Sequence, residues 1–82
     1  MATDEQITRI KETLHDHYTK AKDSATNCDV RNVLYKIRRA EEFLTRMDDT
    51  KVLSLKQYTD LSGWLDKEEG EIADLLKKGC RK

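Results

Sequence analysis

The chain has 82 residues, of which 39% are charged, and its 16 basic side chains balance its 16 acidic ones. A chain of this length forms one domain with a lean core. Its neutral balance removes the overall basic charge on which nucleic-acid-binding domains rely. It also separates the chain from disordered proteins, which combine low hydrophobicity with high net charge. The absence of proline and the presence of only three glycines favour long, uninterrupted helices.

The first residues and the cysteines bear on the cellular compartment. The N-terminal residues MATDEQ are polar and acidic, unlike a secretory signal, and no apolar run approaches the ~20 residues of a membrane span. We therefore expect a cytoplasmic protein without membrane contact. Cys28 and Cys80 show no metal-binding spacing. In the reducing cytosol we expect both to be free thiols.

The first helix is predicted over residues 4–22 or a little beyond. A capping box, T-x-x-Q, begins at Thr3 and satisfies two N–H groups of the first turn. The following segment, residues 23–29, is rich in short polar side chains that bond to their own backbone, so it predicts a break. Thr26 or Asn27 is expected to cap the next helix. Because the segment lacks glycine and proline, one continuous helix is the alternative.

The second helix is predicted over residues 28–48, and its apolar face spans roughly half the helix circumference, wider than a single neighbouring helix needs. We expect this face to be the seam around which the fold is organised. Its members are Val30, Val33, Leu34, Ile37, Ala40, Phe43, Leu44 and Met47. The opposite side holds the clustered positive charge of the chain, within about 80° of the helix circumference. That basic face consists of Arg31, Tyr35, Arg38, Arg39 and Arg46.

The third helix is predicted over residues 54–78. A second capping box, S-x-x-Q, begins at Ser54, and Gly79 is expected to end the helix in the left-handed conformation. Gly63 and Gly70 lie inside it, but the apolar spacing continues across both glycines. The chain is therefore predicted to be all-α, an up-down-up three-helix bundle.

Three expectations follow for a bundle of this kind. Cys28 and Cys80 should lie at the same end of the bundle, so mild oxidation should join them. The wide apolar face and the lean core also favour a homo-oligomer formed through the second and third helices. Trp64, at the flank of the third helix, is expected to contact a second subunit or a partner.

Sites with catalytic or metal chemistry are not expected. His15 and His17 are two residues apart, and on a helix they point about 200° apart, so they cannot share a metal ion. The chain has no phosphate-binding loop, dinucleotide fingerprint, nucleophile elbow or zinc-protease motif. We therefore expect no cofactor, no metal and no enzymatic activity.

Two features of the third helix have competing interpretations. Glu68 falls on its apolar side; we expect it at the edge of the core, and the alternative is a buried pair with a histidine or arginine of another helix. Gly63 invites a helix-turn-helix reading of residues 54–78. The would-be recognition helix is acidic in its first half, which DNA phosphates would repel.

The basic face of the second helix remains the leading candidate site. A merely solvated face would also carry charge, but arginine, unlike lysine, presents a planar fork to carboxylate or phosphate and stacks on aromatic rings. We therefore expect a small non-enzymatic interaction protein, an adaptor, regulator or inhibitor that acts by binding another macromolecule, with a protein as the favoured partner. The alternative is an anionic ligand, RNA or a nucleotide, bound by the arginines of an oligomer. The expected binding residues are Arg31, Tyr35, Arg38, Arg39, Arg46 and Trp64.

Overall fold

The computed structural model describes residues 2–81, which form three helices and no strand. Helix α1 spans Asp4–Thr26, α2 spans Val30–Asp49 and α3 spans Leu55–Gly79. Their short connections make an elongated bundle of 47 × 18 × 17 Å, which confirms the predicted all-α, up-down-up architecture. Within these residues, no helix combines the length and hydrophobicity that a membrane crossing requires.

The central helix is α1, which packs along both α2 and α3, whereas α2 and α3 contact each other much less. This corrects the expectation that the second helix organises the fold. Its apolar face is wider than its contact with the core, so Val30 and Leu34 are 44% and 60% exposed. The buried core is Ala2, Ile10, Leu14, Tyr18, Ala21, Ala25, Val33, Ala40, Leu44, Leu53, Leu61, Leu65 and Ile72.

Capping boxes begin α1 and α3, as predicted. The amide of Gln6 donates to Thr3 Oγ1 at 3.2 Å, and the amide of Thr3 donates to the Gln6 side chain at 2.8 Å. The same exchange joins Ser54 to Gln57. The Gln57 side chain also bonds both backbone groups of Ala2, so it ties the start of the chain to the start of α3.

The break between α1 and α2 is a Schellman motif with cysteine in the glycine position. Cys28 has a φ of 56°, its amide bonds to the carbonyl of Ala25, and the next amide bonds to the carbonyl of Ser24. The helices are therefore separate, and α1 continues four residues beyond the predicted end. Asp29 caps α2 through the amide of Asn32, which corrects the predicted Thr26 or Asn27 cap.

The end of α2 has the same construction, with Lys51 in the left-handed conformation at φ 59°. The amides of Lys51 and Val52 bond to the carbonyls of Asp48 and Met47. Both breaks thus use a side-chain-bearing residue at the position where helices usually place glycine. This costs roughly 1–2 kcal/mol for each residue.

Gly79 has a different role from the predicted one. It is the last residue of α3, followed by the cap residue Cys80, and it lies against the end of α1. A Cβ atom added at Gly79 would lie 2.7 Å from the carbonyl oxygen of Thr26 and closer still to that of Ala25. Glycine is therefore required for close approach and not for a left-handed turn.

This approach brings the two cysteines together at one end of the bundle, as predicted. A disulfide joins them, and their Cα atoms are 4.9 Å apart. This Cα–Cα distance is within the range that a disulfide requires. The bond corrects the expectation of free thiols. Disulfides persist in oxidising compartments, so the predicted cytoplasmic location would keep this pair reduced.

Candidate functional site

The first half of α2 presents a shallow cleft in which three of the predicted binding residues meet. Arg31, Tyr35 and Arg38 line it together with Leu34, and we call these four residues the basic cleft. All four are exposed, because they lie on the side of α2 that faces away from α1. Leu34 was assigned to the core by its apolar character, and no sequence signal marked it as a surface residue.

The ring of Tyr35 is flanked by two cations of its own helix. Lys36 Nζ lies 5.4 Å from the ring centroid, and the guanidinium carbon of Arg39 lies 5.9 Å from it. Both distances are within the range of cation–π attraction. With 53% of its surface exposed, Tyr35 therefore offers an oriented aromatic face at the edge of the basic cleft.

The remaining two arginines of the basic face line a second cleft. Arg39 and Arg46 lie there with Glu42, Phe43 and His17 of α1. Burial lowers the pKa of His17, and the neighbouring cations Lys36, Lys20 and Arg39 add to this effect against the opposing charge of Asp16. His17 therefore adds no further positive charge near neutral pH. The exposed arginine face predicted from the sequence is thus divided into two regions.

Trp64 lies apart from the basic cleft, on the flank of α3 beside α1. It is half-buried, and its ring packs edge-to-face on Tyr18 with the centroids 6.3 Å apart. It lines a groove with Thr8, Lys11, Glu12 and His15. The two histidines face different grooves, and among residues 2–81 no group of three His, Cys, Asp or Glu side chains is placed to hold a metal ion.

Between α2 and α3 lies an acidic groove that the sequence did not indicate. Glu41 of α2 and Glu69 and Asp66 of α3 line it over an apolar floor that includes Leu65. The buried Tyr18 hydroxyl donates to Glu69 Oε1 at 3.3 Å. Burial raises the pKa of Glu69 to about 7, an effect that Glu41 and Asp66 reinforce and the bond from Tyr18 opposes. Burial likewise raises the pKa of Tyr18, so its hydroxyl remains a donor.

Glu68 pairs with a cation of another helix, although the partner is neither a histidine nor an arginine. Lys22 Nζ of α1 lies 2.6 Å from Glu68 Oε2 and 3.1 Å from Glu71 Oε2. The hydrogen bond to Glu68 raises the pKa of Lys22, while burial opposes it and Glu71 adds to it. Glu68 therefore connects α1 to α3, and this structural contact accounts for a carboxylate on the apolar side.

Comparison with known proteins identifies no relative: no family model matches the chain, and no significant match was found among curated proteins or solved structures.

Proposed function

We propose that this chain is a small non-enzymatic interaction protein, an adaptor, regulator or inhibitor that acts by binding another protein chain through the outer face of α2. The observation that carries the proposal is the exposure of Leu34 and Tyr35 between two arginines. Leu34 is 60% exposed and Tyr35 is 53% exposed, and Arg31 and Arg38 line the same cleft. Tyrosine and arginine are enriched among the residues that dominate binding energy at protein interfaces.

The apolar member of the cleft favours a protein partner over the anionic ligand. A phosphate group gains nothing from an exposed leucine, and one monomer with no net charge attracts nucleic acid weakly. A protein surface with apolar and acidic side chains would cover Leu34 and pair the two arginines. RNA or a nucleotide is therefore the second proposal, and the two differ in their response to salt.

The test uses Arg31→Glu together with Arg38→Glu, and the matched control is Lys56→Glu together with Lys67→Glu. Both pairs are exposed and change the net charge equally, so their stabilities should stay within about 0.5 kcal/mol of the wild type. Each form is immobilised and used to capture proteins from a cell extract. A captured protein is then purified and its affinity measured directly.

We expect the purified partner to bind the wild type and the lysine control alike, and the arginine variant at least about tenfold more weakly, a loss of about 1.4 kcal/mol. Equal binding to all three forms would contradict the proposal. Co-purified RNA whose binding falls steeply with salt would support the anionic-ligand alternative instead.

A further inference from the structure

One line of exposed residues along α2 has a regular spacing of three and four residues, the spacing that keeps side chains on a single strip of a helix. None of its members belongs to the core, and every one of them is exposed. They are Arg31, Leu34, Arg38, Glu41, Thr45 and Asp48, which we call the α2 stripe.

The charges of the α2 stripe are segregated along the helix. Its first half carries Arg31 and Arg38, and its second half carries Glu41 and Asp48. Within the described residues 2–81, none of these four side chains has an ion-pair partner of opposite charge. Glu41 borders the acidic groove beside Glu69 and Asp66, so its charged neighbours in the monomer are acidic. Across residues 2–81, the monomer therefore leaves two cations and two anions of the strip without a counter-ion.

The order of charges along the α2 stripe is complementary to that of a second α2 stripe running in the opposite direction. If a second α2 lies antiparallel to the first, with the two-fold axis between Arg38 and Glu41, Arg38 faces Glu41 of the second copy. In the same register Arg31 faces Asp48 and Leu34 faces Thr45, so each arginine meets an acid. A parallel pairing would instead place like charges opposite each other, which is unfavourable.

We propose that the partner bound by the outer face of α2 is a second copy of this chain, in an antiparallel two-fold dimer formed along the α2 stripe. This inference rests on the proposed function and names its partner. The isologous arrangement is the commonest form of homodimer, in which one patch meets itself. It is accessible because α2 contacts α3 only slightly, which leaves one flank of α2 open.

The same register determines what lies opposite Val30, another exposed apolar residue of α2. Val30, 44% exposed, comes level with Asp49 of the second copy, where α2 ends. The short loop that follows leads to Leu55, the most exposed large hydrophobic residue of the chain at 82%. The dimer therefore places Val30 of one copy at the C-terminal end of α2 of the other copy.

The dimer is expected to be weak and sensitive to salt. Its contacts are chiefly ion pairs between exposed side chains, which salt screens, with few apolar residues at each end. Arg39 and Arg46 line the second cleft, outside the α2 stripe. Tyr35 shares the basic cleft with Arg31, Leu34 and Arg38, so it lies at the border of the proposed contact.

The experiment measures molar mass by sedimentation equilibrium over a concentration series at low and high salt. The variants are Arg38→Glu, Glu41→Arg and the double charge swap, and Lys67→Glu, an exposed charge reversal on α3 outside the stripe, is the matched control. Far-UV circular dichroism of each variant establishes that the helices are retained.

We expect each single reversal to weaken association at least about tenfold, because it places like charges opposite each other twice in the dimer. The double swap should restore association to within about threefold of the wild type. An equimolar mixture of the two single variants should also associate, since every contact between positions 38 and 41 then joins opposite charges. The Lys67→Glu control should associate like the wild type.

A wild type that stays monomeric at every concentration would overturn the inference, and so would a dimer that both single reversals leave unchanged. Failure of the double swap and of the mixture to restore association would also overturn the antiparallel register. The proposed function is tested separately: a monomeric wild type whose purified partner is lost with Arg31→Glu and Arg38→Glu would retain that function and remove only the second copy as partner.

Discussion

The disulfide between Cys28 and Cys80 should supply a large part of the stability of the fold. The bond closes a loop across 52 residues of sequence separation. By the chain-entropy relation for a closed loop of that size, it lowers the entropy of the unfolded chain and stabilises the native state by about 4 kcal/mol. A chain of this length is typically stable by only about 4–12 kcal/mol in total. Removal of the bond should therefore shift the unfolding transition strongly.

Two cysteine-free variants separate the bond from the backbone conformation at position 28. One variant is Cys28→Ala with Cys80→Ala, and the other is Cys28→Gly with Cys80→Ala. Because Cys28 has a φ of 56°, alanine at that position retains the cost of the left-handed conformation and glycine does not. Both variants should lose stability relative to the wild type, and the glycine variant should be the more stable of the two by about 1 kcal/mol.

The assay is urea unfolding followed by far-UV circular dichroism, with and without a phosphine reductant. The reductant should destabilise the wild type and leave both cysteine-free variants unchanged. A loss below about 1 kcal/mol on reduction would refute the loop-closure reasoning, since the expected loss is about four times larger. Equal stability of the two variants would refute the cost assigned to the left-handed residue.

Two further predictions concern single residues. Because the pKa of Glu69 is raised from 4.5 to about 7, its carboxyl group stabilises the fold fully below its unfolded pKa, and this contribution is lost as the pH rises through about 7. Glu69→Gln should therefore remove roughly 1 kcal/mol of the decline in stability between about pH 5 and pH 8, after allowance for solvent screening; an unchanged pH profile of urea unfolding would contradict this. Gly79→Ala should destabilise the fold by about 1–3 kcal/mol, because its Cβ would overlap backbone oxygens of α1. The matched Gly70→Ala, where nothing lies within 4 Å of the added atom, should instead stabilise it by about 0.5–1 kcal/mol. A lower melting temperature of Gly70→Ala would contradict the assignment of Gly70, and an unchanged or higher one of Gly79→Ala would contradict that of Gly79.

Local signals were sufficient to predict where two of the helices begin. The capping boxes at Thr3 and Ser54 depend on residues only three apart in the chain, so no tertiary information is needed to find them. The topology then placed Cys28 and Cys80 at one end. The persistence of α3 across Gly63 and Gly70 was also predictable, because the apolar periodicity on both sides keeps one phase.

The helix ends were harder to predict because the chain departs from the usual use of glycine. Cys28 and Lys51 occupy the left-handed positions, where neither residue type signals a turn. Gly79, the one glycine next to a helix end, is there because α1 approaches closely. A residue's identity thus predicts what conformations are accessible to it, while the neighbouring helix determines which of them is used.

The candidate site was only partly predictable, because part of its geometry also depends on a neighbouring helix. The arginines of α2 were expected on the outer face, and all of them are exposed. Their division into two clefts depends on which residue of α1 lies beside them, here His17, and this requires the packing of one helix on another. The exposure of Leu34 was missed because periodicity identifies an apolar face without showing whether a neighbour covers it.

The charge order of the α2 stripe is not explained by the stability of the helix itself. A helix favours acidic residues near its N-terminus and basic residues near its C-terminus, each by about 0.3–1 kcal/mol. In α2 the order along the stripe is reversed, since Arg31 lies in the first turn and Asp48 in the last. A solvated face would gain from the opposite order or from ion pairs within the helix, and these side chains form none in the described part of the chain. Pairing with an antiparallel copy turns this unfavourable order into a complementary one, because each cationic half then lies against an anionic half.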